Sequence, residues 1–224
     1  MSQVVVIELG CANTASVLFA LERLGAEAVL SSDAAEIRAA PRVVLPGVGA
    51  AGFVMSRIHE LGLYDTIRGL TQPLMGVCLG QQLLFDSSEE GDVACLGLIP
   101  GRVVKMGAPK APERIPESGH RFPESNARPS LEPEPVRALV VPHMGWNQLQ
   151  AVREDPLTAG LNAGDYAYFV HSFVCPVTDH TLAQSTYGAP FAAMVRKGNV
   201  WGCQFHPERS SAAGAKILEN FLRL

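Results

Sequence analysis

Over the first ninety residues, apolar positions alternate between two periods. Residues 4–9, apolar but for Glu8, form a run of strand length, the kind buried on both faces of a parallel sheet. Val17, Leu18, Leu21 and Leu24 then recur at helical spacing, with Asn13 or Thr14 placed to cap the helix and Gly25 to close it. A short strand at 28–30 follows, and Asp33 with Glu36 makes a capping box for a brief helix that stops before Pro41. Residues 43–45 read as a third strand ending in Pro46-Gly47-Val48-Gly49, and helices are expected near 53–61 and 64–70. A short buried strand entered after Pro73 runs into a tight turn and a helix carrying Leu79, Leu83 and Leu84. Strand and helix alternating at this spacing predict an α/β fold, an open and largely parallel sheet wound on both faces, with its site at the carboxyl ends of the strands.

The pattern changes after Gly91. Residues 103–105 read as a strand, and then seven prolines fall between Gly107 and Arg137 without periodicity, which no helix or interior strand accommodates. This stretch, about 107–137, is read as a surface insertion. Beyond it, strands are expected at 138–141, 166–173, 181–185, 191–195 and 200–205, and a terminal helix at 210–224 with Ile217, Leu218, Phe221 and Leu222 on one side. No repeat or boundary divides the chain, so residues 1–224 are expected to form a single domain with additional strands in its C-terminal half.

Composition narrows the function classes. A net charge of −4 and a pI near 5.9 argue against a nucleic-acid partner or an acidic membrane surface. No apolar run reaches the roughly 18 residues that span a bilayer, and residues 4–7 run straight into Glu8, so neither a membrane segment nor an export signal is expected. The five cysteines (Cys11, Cys78, Cys95, Cys175, Cys203) are odd in number and not closely paired, which fits reduced thiols and a cytoplasmic location. No cysteine–histidine cluster has zinc-ligand spacing, so no metal or other cofactor is expected.

Three segments carry chemistry. Gly76-Val77-Cys78-Leu79-Gly80 is a nucleophile elbow with sulfur in place of oxygen. Glycines flank the turn because a β-carbon on either side would not fit it, and the thiol is pushed over the first free N–H groups of the helix, donors suited to an oxyanion. Taken alone, Cys78 also fits a buried structural cysteine. The second segment is His206-Pro207-Glu208 at the end of a strand. Residues two apart in extended chain point the same way, so Glu208 can hold one ring nitrogen of His206 while the other faces a nucleophile, giving a Cys78–His206–Glu208 triad. The third is Pro46-Gly47-Val48-Gly49, whose backbone N–H groups, with that of Leu79, are candidates for an oxyanion hole.

The stretches PGVGA, GVCLGQQLLFDSSEEG, LGLIPGRVV, VPHMGWNQL, YFVHSF and QFHPERS resemble the triad-type (class I) glutamine amidotransferases over nearly the whole chain, the proline-rich stretch excepted. Within that family, residues 141–147 and 97–101 resemble the glutaminase subunits of imidazole glycerol phosphate synthase. The resemblance implies a flavodoxin-like sheet and hydrolysis of glutamine through a glutamyl thioester on Cys78, with His206 as base and then acid, and Glu208 orienting it. It implies oxyanion contacts from the backbone of Leu79, Val48 and Gly47, and glutamine held by Gly49, Gln82, Glu90, His171, Ser172 and Phe173. It further implies a heterodimer with a separate barrel-type cyclase, which uses the ammonia to form imidazole glycerol phosphate and AICAR in histidine biosynthesis, with Met144, Trp146, Asn147, Tyr168 and Arg209 near the interface. The chain departs from the family pattern at Glu8-Leu9-Gly10-Cys11-Ala12-Asn13, where an Asp-Tyr-Gly-x-Gly-Asn segment is usual, and at Arg209, where lysine is common. A paralogous amidotransferase serving another synthase, a stand-alone cysteine hydrolase on this fold and a silent scaffolding subunit remain as alternatives. By size alone Trp146 and Tyr168 also fit a core, as do His143 and His171.

Overall fold

The computed structural model describes residues 3–10, 14–107, 139–150 and 152–224. Of the expectations above, the capping by Asn13, the Cys11-Ala12 departure and all but the first residue of the proline-rich stretch lie outside the described residues.

The first half alternates as its periodicity predicts: β1 (Gln3–Ile7), α1 (Thr14–Arg23), β2 (Glu27–Ser31), α2 (Ala34–Ala39), β3 (Val43–Leu45), α3 (Ala51–Glu60), α4 (Tyr64–Arg68), β4 (Leu74–Val77) and α5 (Leu79–Leu83). Then come β5 (Phe85–Ser88), β6 (Val93–Ala94), β7 (Ile99–Lys105), β8 (His143–Gln148), β9 (Tyr166–His171), β10 (Phe173–Val174), β11 (Thr181–Tyr187), β12 (Ala189–Lys197), β13 (Val200–Cys203) and α6 (Ser211–Phe221). The main sheet has the order β11-β12-β13-β4-β3-β1-β2. From β2 to β13 every neighbour is parallel, while β12 and β11 continue it antiparallel. A smaller sheet, β10-β7-β5-β6, and a two-stranded ribbon, β8-β9, flank it.

Burial on both faces explains the unbroken apolar strands. Val5, Ile7 and Leu45 pack with Ile37, Val54, Ile58 and Leu83 beneath the helices α2 to α5. Val4, Val6 and Val44 pack on the opposite face with Val17 and Leu21 of α1 and Ile217, Leu218 and Phe221 of α6. Each strand thus presents successive residues to two different cores. The order of β2, β1, β3 and β4 reverses between β1 and β3, and loops at the carboxyl ends near such a switch are where α/β sheets place their sites.

The structure corrects three expectations. The helix after Cys78 ends at Leu83, because the backbone N–H groups of Leu96, Gly97, Leu98 and Ile99 take the carbonyls of Leu83, Phe85 and Leu84 and turn the chain directly into β5. Residues 139–141 form no strand; Val140 is 71% exposed, and its carbonyl accepts the Tyr187 hydroxyl. Half of the capping box forms: Asp33 accepts from Ala35 N and Glu36 N, but the Glu36 carboxylate takes the Ser31 hydroxyl instead of reaching back.

Candidate active site

Three neighbouring strands deliver the three chemical segments to one end of the sheet. Cys78 follows β4, His206 follows β13 and the Pro46–Gly49 loop follows β3, and these strands are adjacent. Cys78 has φ 55° and ψ −113°, a left-handed backbone that a side chain other than glycine adopts only under constraint. The constraint is close packing. A β-carbon on Gly80 would lie 2.0 Å from the Leu45 carbonyl oxygen, and one on Gly76 would lie 2.6 Å from the Gly80 carbonyl oxygen. A β-carbon on Gly47 would lie 2.8 Å from Gly80 N, so this glycine lets the β3 loop press against the elbow. Gly49 is required for a different reason, its φ of 94°. Among the described residues, the N–H groups of Leu79 and Val48 donate no backbone hydrogen bond.

His206 is fixed at both its ring and its backbone. Nδ1 lies 2.9 Å from Glu208 Oε1; a carboxylate only accepts, so Nδ1 carries the proton and Nε2 is left to interact with the Cys78 thiol, which lines the same cavity. The His206 N–H donates to the Tyr168 carbonyl at 3.0 Å. The buried Ser210 hydroxyl donates to the His206 carbonyl at 2.7 Å and accepts the Tyr168 N–H at 2.9 Å. This closed ring staples the loop after β13 to β9. Removing the hydroxyl takes the partner of the part-buried Tyr168 N–H and leaves the His206 carbonyl only the Arg209 N–H at 3.0 Å, at a cost of about 1–3 kcal/mol. Ser210→Ala should therefore lower kcat for amide hydrolysis about 10-fold through a misplaced imidazole, with little change in KM. A steady-state comparison with the parent chain checks this, and unchanged kcat would contradict it.

Burial by itself depresses the His206 pKa, but hydrogen bonds and charge from Cys78 and Glu208 outweigh it and raise the group from 6.5 to about 10. Because the folded value lies above the unfolded one, the stability lent by these contacts is complete below about pH 6.5 and is lost as pH rises through about 10. Glu208→Gln keeps an acceptor but removes the charge, so His206 should titrate at lower pH in imidazole NMR; an unchanged midpoint would contradict the coupling. Glu208 is nearly buried, and its second oxygen has no partner among the described residues.

The thiol opens into a cavity of about 330 Å³, a size that suits an amino acid. Its lining includes Val48, Gly49, Cys78, Leu79, Gln82, Glu90, His171, Ser172, Phe173 and His206, so the structure gathers these sequence-predicted residues around one space. Pro142 and Val170 also line it and carry no signal in the sequence that marks them for a site. Val170 lies inside a strand run, and its carbonyl, 3.7 Å from the Cys78 sulfur, accepts from the thiol. Gln82 gives its amide hydrogens to the Phe173 carbonyl and Gln204 Oε1, both at 3.0 Å. Glu90 accepts the Ala51 N–H at 2.8 Å, tying the cavity wall to the start of α3. Gly47 lies outside this cavity, in a smaller adjoining one of about 200 Å³ with Val48, His206, Glu208 and Arg209.

The ribbon beside the cavity divides the remaining candidates. Cross-strand pairs Met144–Val170 and Trp146–Tyr168 share one face, and His143–His171 and Asn147–Ala167 the other. Met144 and Trp146 are 64% and 52% exposed, and the Trp146 ring meets Tyr168 edge-on at 5.9 Å. Asn147 turns inward and bonds to the Thr186 carbonyl. His143 and His171 are buried.

Comparison with known proteins bears on what this arrangement is for. The family described as glutamine amidotransferase class-I matches residues 5–224. The chain belongs to the class I glutamine amidotransferases. It is 47% identical to the imidazole glycerol phosphate synthase subunit HisH of Xanthomonas euvesicatoria pv. vesicatoria, covering 100% of this chain and 98% of that protein. The HisH subunit of Shewanella oneidensis is 45% identical, covering 99% of this chain and 96% of its own. Among solved structures, this amidotransferase is similar to PurLQS from Thermotoga maritima, with TM-score 0.65 and 19% identity, covering 99% and 97% of the two chains. A second solved structure, described as a glutamine amidotransferase, gives TM-score 0.65 and 18% identity, covering 98% and 97%. The structural likenesses bear on the fold: an amidotransferase sheet carrying extra strands beyond its parallel core. Among the described residues of this amidotransferase no cluster suits a metal ion, and no helix is long and apolar enough to cross a membrane.

Proposed function

We propose that this amidotransferase is the glutaminase subunit of an imidazole glycerol phosphate synthase and that Cys78, His206 and Glu208 form its catalytic triad. The observation that carries this reading is Cys78 on its left-handed elbow, sharing an amino-acid-sized cavity with an imidazole whose Nδ1 rests on Glu208. Glutamine occupies the cavity with Gly49, Gln82, Glu90 and residues 171–173 around it. The Cys78 thiolate attacks the side-chain amide carbon, and the developing oxyanion meets the N–H groups of Leu79 and of the Gly47-Val48 turn. The His206 imidazolium then gives its proton to the departing nitrogen, so ammonia leaves and a glutamyl thioester remains on Cys78. Water attacks this thioester with His206 as base, releasing glutamate and the free thiol.

The ammonia serves a separate barrel-type cyclase subunit, which forms imidazole glycerol phosphate and AICAR in histidine biosynthesis. Support for a docked partner comes from the exposed Met144 and Trp146 beside the site, since large apolar side chains clustered on a surface mark interaction sites. Arg209, exposed next to Glu208, contributes a charge at the same edge. The cytoplasm is the proposed location, supported by the free thiols of Cys78, Cys95, Cys175 and Cys203.

The test is glutamate release from glutamine by the purified chain, alone and with the cyclase plus its phosphoribulosyl ligand. Slow release alone and strong stimulation by the liganded cyclase are expected. Full activity without the cyclase would point to a stand-alone hydrolase. Activity that no cyclase of this pathway stimulates would point to another synthase.

A further inference from the structure

Two buried histidines that the triad does not use sit between the ribbon and the cavity. His171 Nδ1 lies 2.9 Å from the Phe173 carbonyl oxygen. A carbonyl only accepts, so Nδ1 carries the proton and the neutral ring has its lone pair on Nε2. That Nε2 lies 3.0 Å from His143 Nδ1, which must then be the donor, leaving His143 Nε2 to accept from Asn147 Nδ2 at 3.3 Å. The Asn147 amide is itself oriented by the Thr186 carbonyl at 2.9 Å and by the Gln148 N–H, which reaches its oxygen at 2.8 Å. One carbonyl at each end therefore sets the direction of every bond in the chain Asn147, His143, His171, Phe173. A proton added to either ring would set donor against donor, and burial already pulls both imidazoles down to about 4.

The chain ends in the cavity wall. The Phe173 carbonyl that accepts from His171 also accepts from Gln82, so His171, Phe173 and Gln82 are held as a unit. His143 is itself clamped, stacked on Tyr187 at 4.1 Å and on Phe169 at 5.1 Å between ring centroids. With Nε2 of His171 occupied, that residue cannot serve Cys78 as a base. The His206 anchors, by contrast, are Glu208, Ser210 and Tyr168, none of which belongs to this chain of bonds.

We infer that His143 is a positioning residue for the substrate wall: its Nδ1–H holds His171 in a single tautomer and orientation, and through the shared Phe173 carbonyl it fixes the wall that Gln82 and residues 171–173 present to the substrate. The inference rests on the proposal that this cavity takes glutamine. Its signature is a split between binding and chemistry, because the wall is held by His143 and the triad is held separately.

The experiment compares the parent chain with His143→Leu, which fills the space without a donor, and His143→Asn, which keeps an N–H close to the Nδ1 position. In complex with the cyclase, His143→Leu should raise KM for glutamine about 10-fold with kcat within about 3-fold, and His143→Asn should recover most of the KM. Unchanged KM in His143→Leu, equal damage in both variants, or a loss confined to kcat would overturn the inference. Imidazole ¹⁵N NMR of the chain supplies a second readout independent of turnover. His171 should show one Nδ1–H tautomer in the parent and in His143→Asn, and a mixed or reversed one in His143→Leu. If the parent does not hydrolyse glutamine, the functional proposal fails, whereas an unaltered His171 spectrum in His143→Leu defeats the positioning role by itself.

Discussion

Cys78→Ala is expected to remove glutamine hydrolysis, lowering kcat by about four to six orders of magnitude while the chain stays folded and still docks its partner. The sulfur is the only protein atom in the proposed mechanism that bonds to substrate carbon, and neither His206 nor the oxyanion donors can replace it. The fold should tolerate the change, because the strain at Cys78 lies in the backbone, and alanine needs no more room than cysteine. The check is ammonia release with the liganded cyclase present, alongside the circular dichroism of the variant. Residual activity at a tenth of the parent rate would assign the nucleophile elsewhere.

Gly80→Ala is expected to damage the fold itself. The added carbon would lie 2.0 Å from the carbonyl oxygen of Leu45, in the interior strand β3, where backbone on both sides prevents either partner from yielding. Overpacking against main chain should cost upwards of about 3 kcal/mol, enough to deplete the folded protein. Gly52→Ala is the contrasting case. Gly52 lies in α3 with nothing near its would-be β-carbon, so the change should stay within about 1 kcal/mol and lean towards stabilisation. Urea denaturation of the two variants checks the pair. A Gly80→Ala protein as stable as the parent would mean that the elbow does not press against β3 as described.

The legible parts of this sequence are those where local chemistry and tertiary role agree. Residues 4–7 and 43–45 read as buried strands because both their faces meet a core, and Gly76 and Gly80 read as an elbow because only a close approach needs them there. The ribbon strand β8 is not legible because its pattern is inverted. Its polar His143 and Asn147 face inward and its apolar Met144 and Trp146 face out, so alternation points the wrong way unless a partner or a buried polar chain is known. Strand β5, Phe85-Asp86-Ser87-Ser88, lacks an apolar face, and its existence depends on pairing with β7, some ten residues further on. The same non-local bonds, from residues 96–99, stop α5 early, and no period within the helix announces that. Conversely, residues 139–141 look like a strand by composition and are surface chain. The positioning roles of Ser210 and His143 cannot be read from the stretches that contain them; they emerge only when β9 is brought alongside the loop after β13 and alongside β8.

The most direct test of the mechanism is to trap its covalent intermediate. The chain in complex with its liganded cyclase is mixed with glutamine, quenched in acid within the turnover time, and digested for mass spectrometry. A glutamyl group on the peptide containing Cys78, absent from Cys78→Ser and from unreacted protein, is the predicted result. A glutamyl adduct on Cys203 or another cysteine, or steady turnover with no adduct on Cys78 at any quench time, would contradict it.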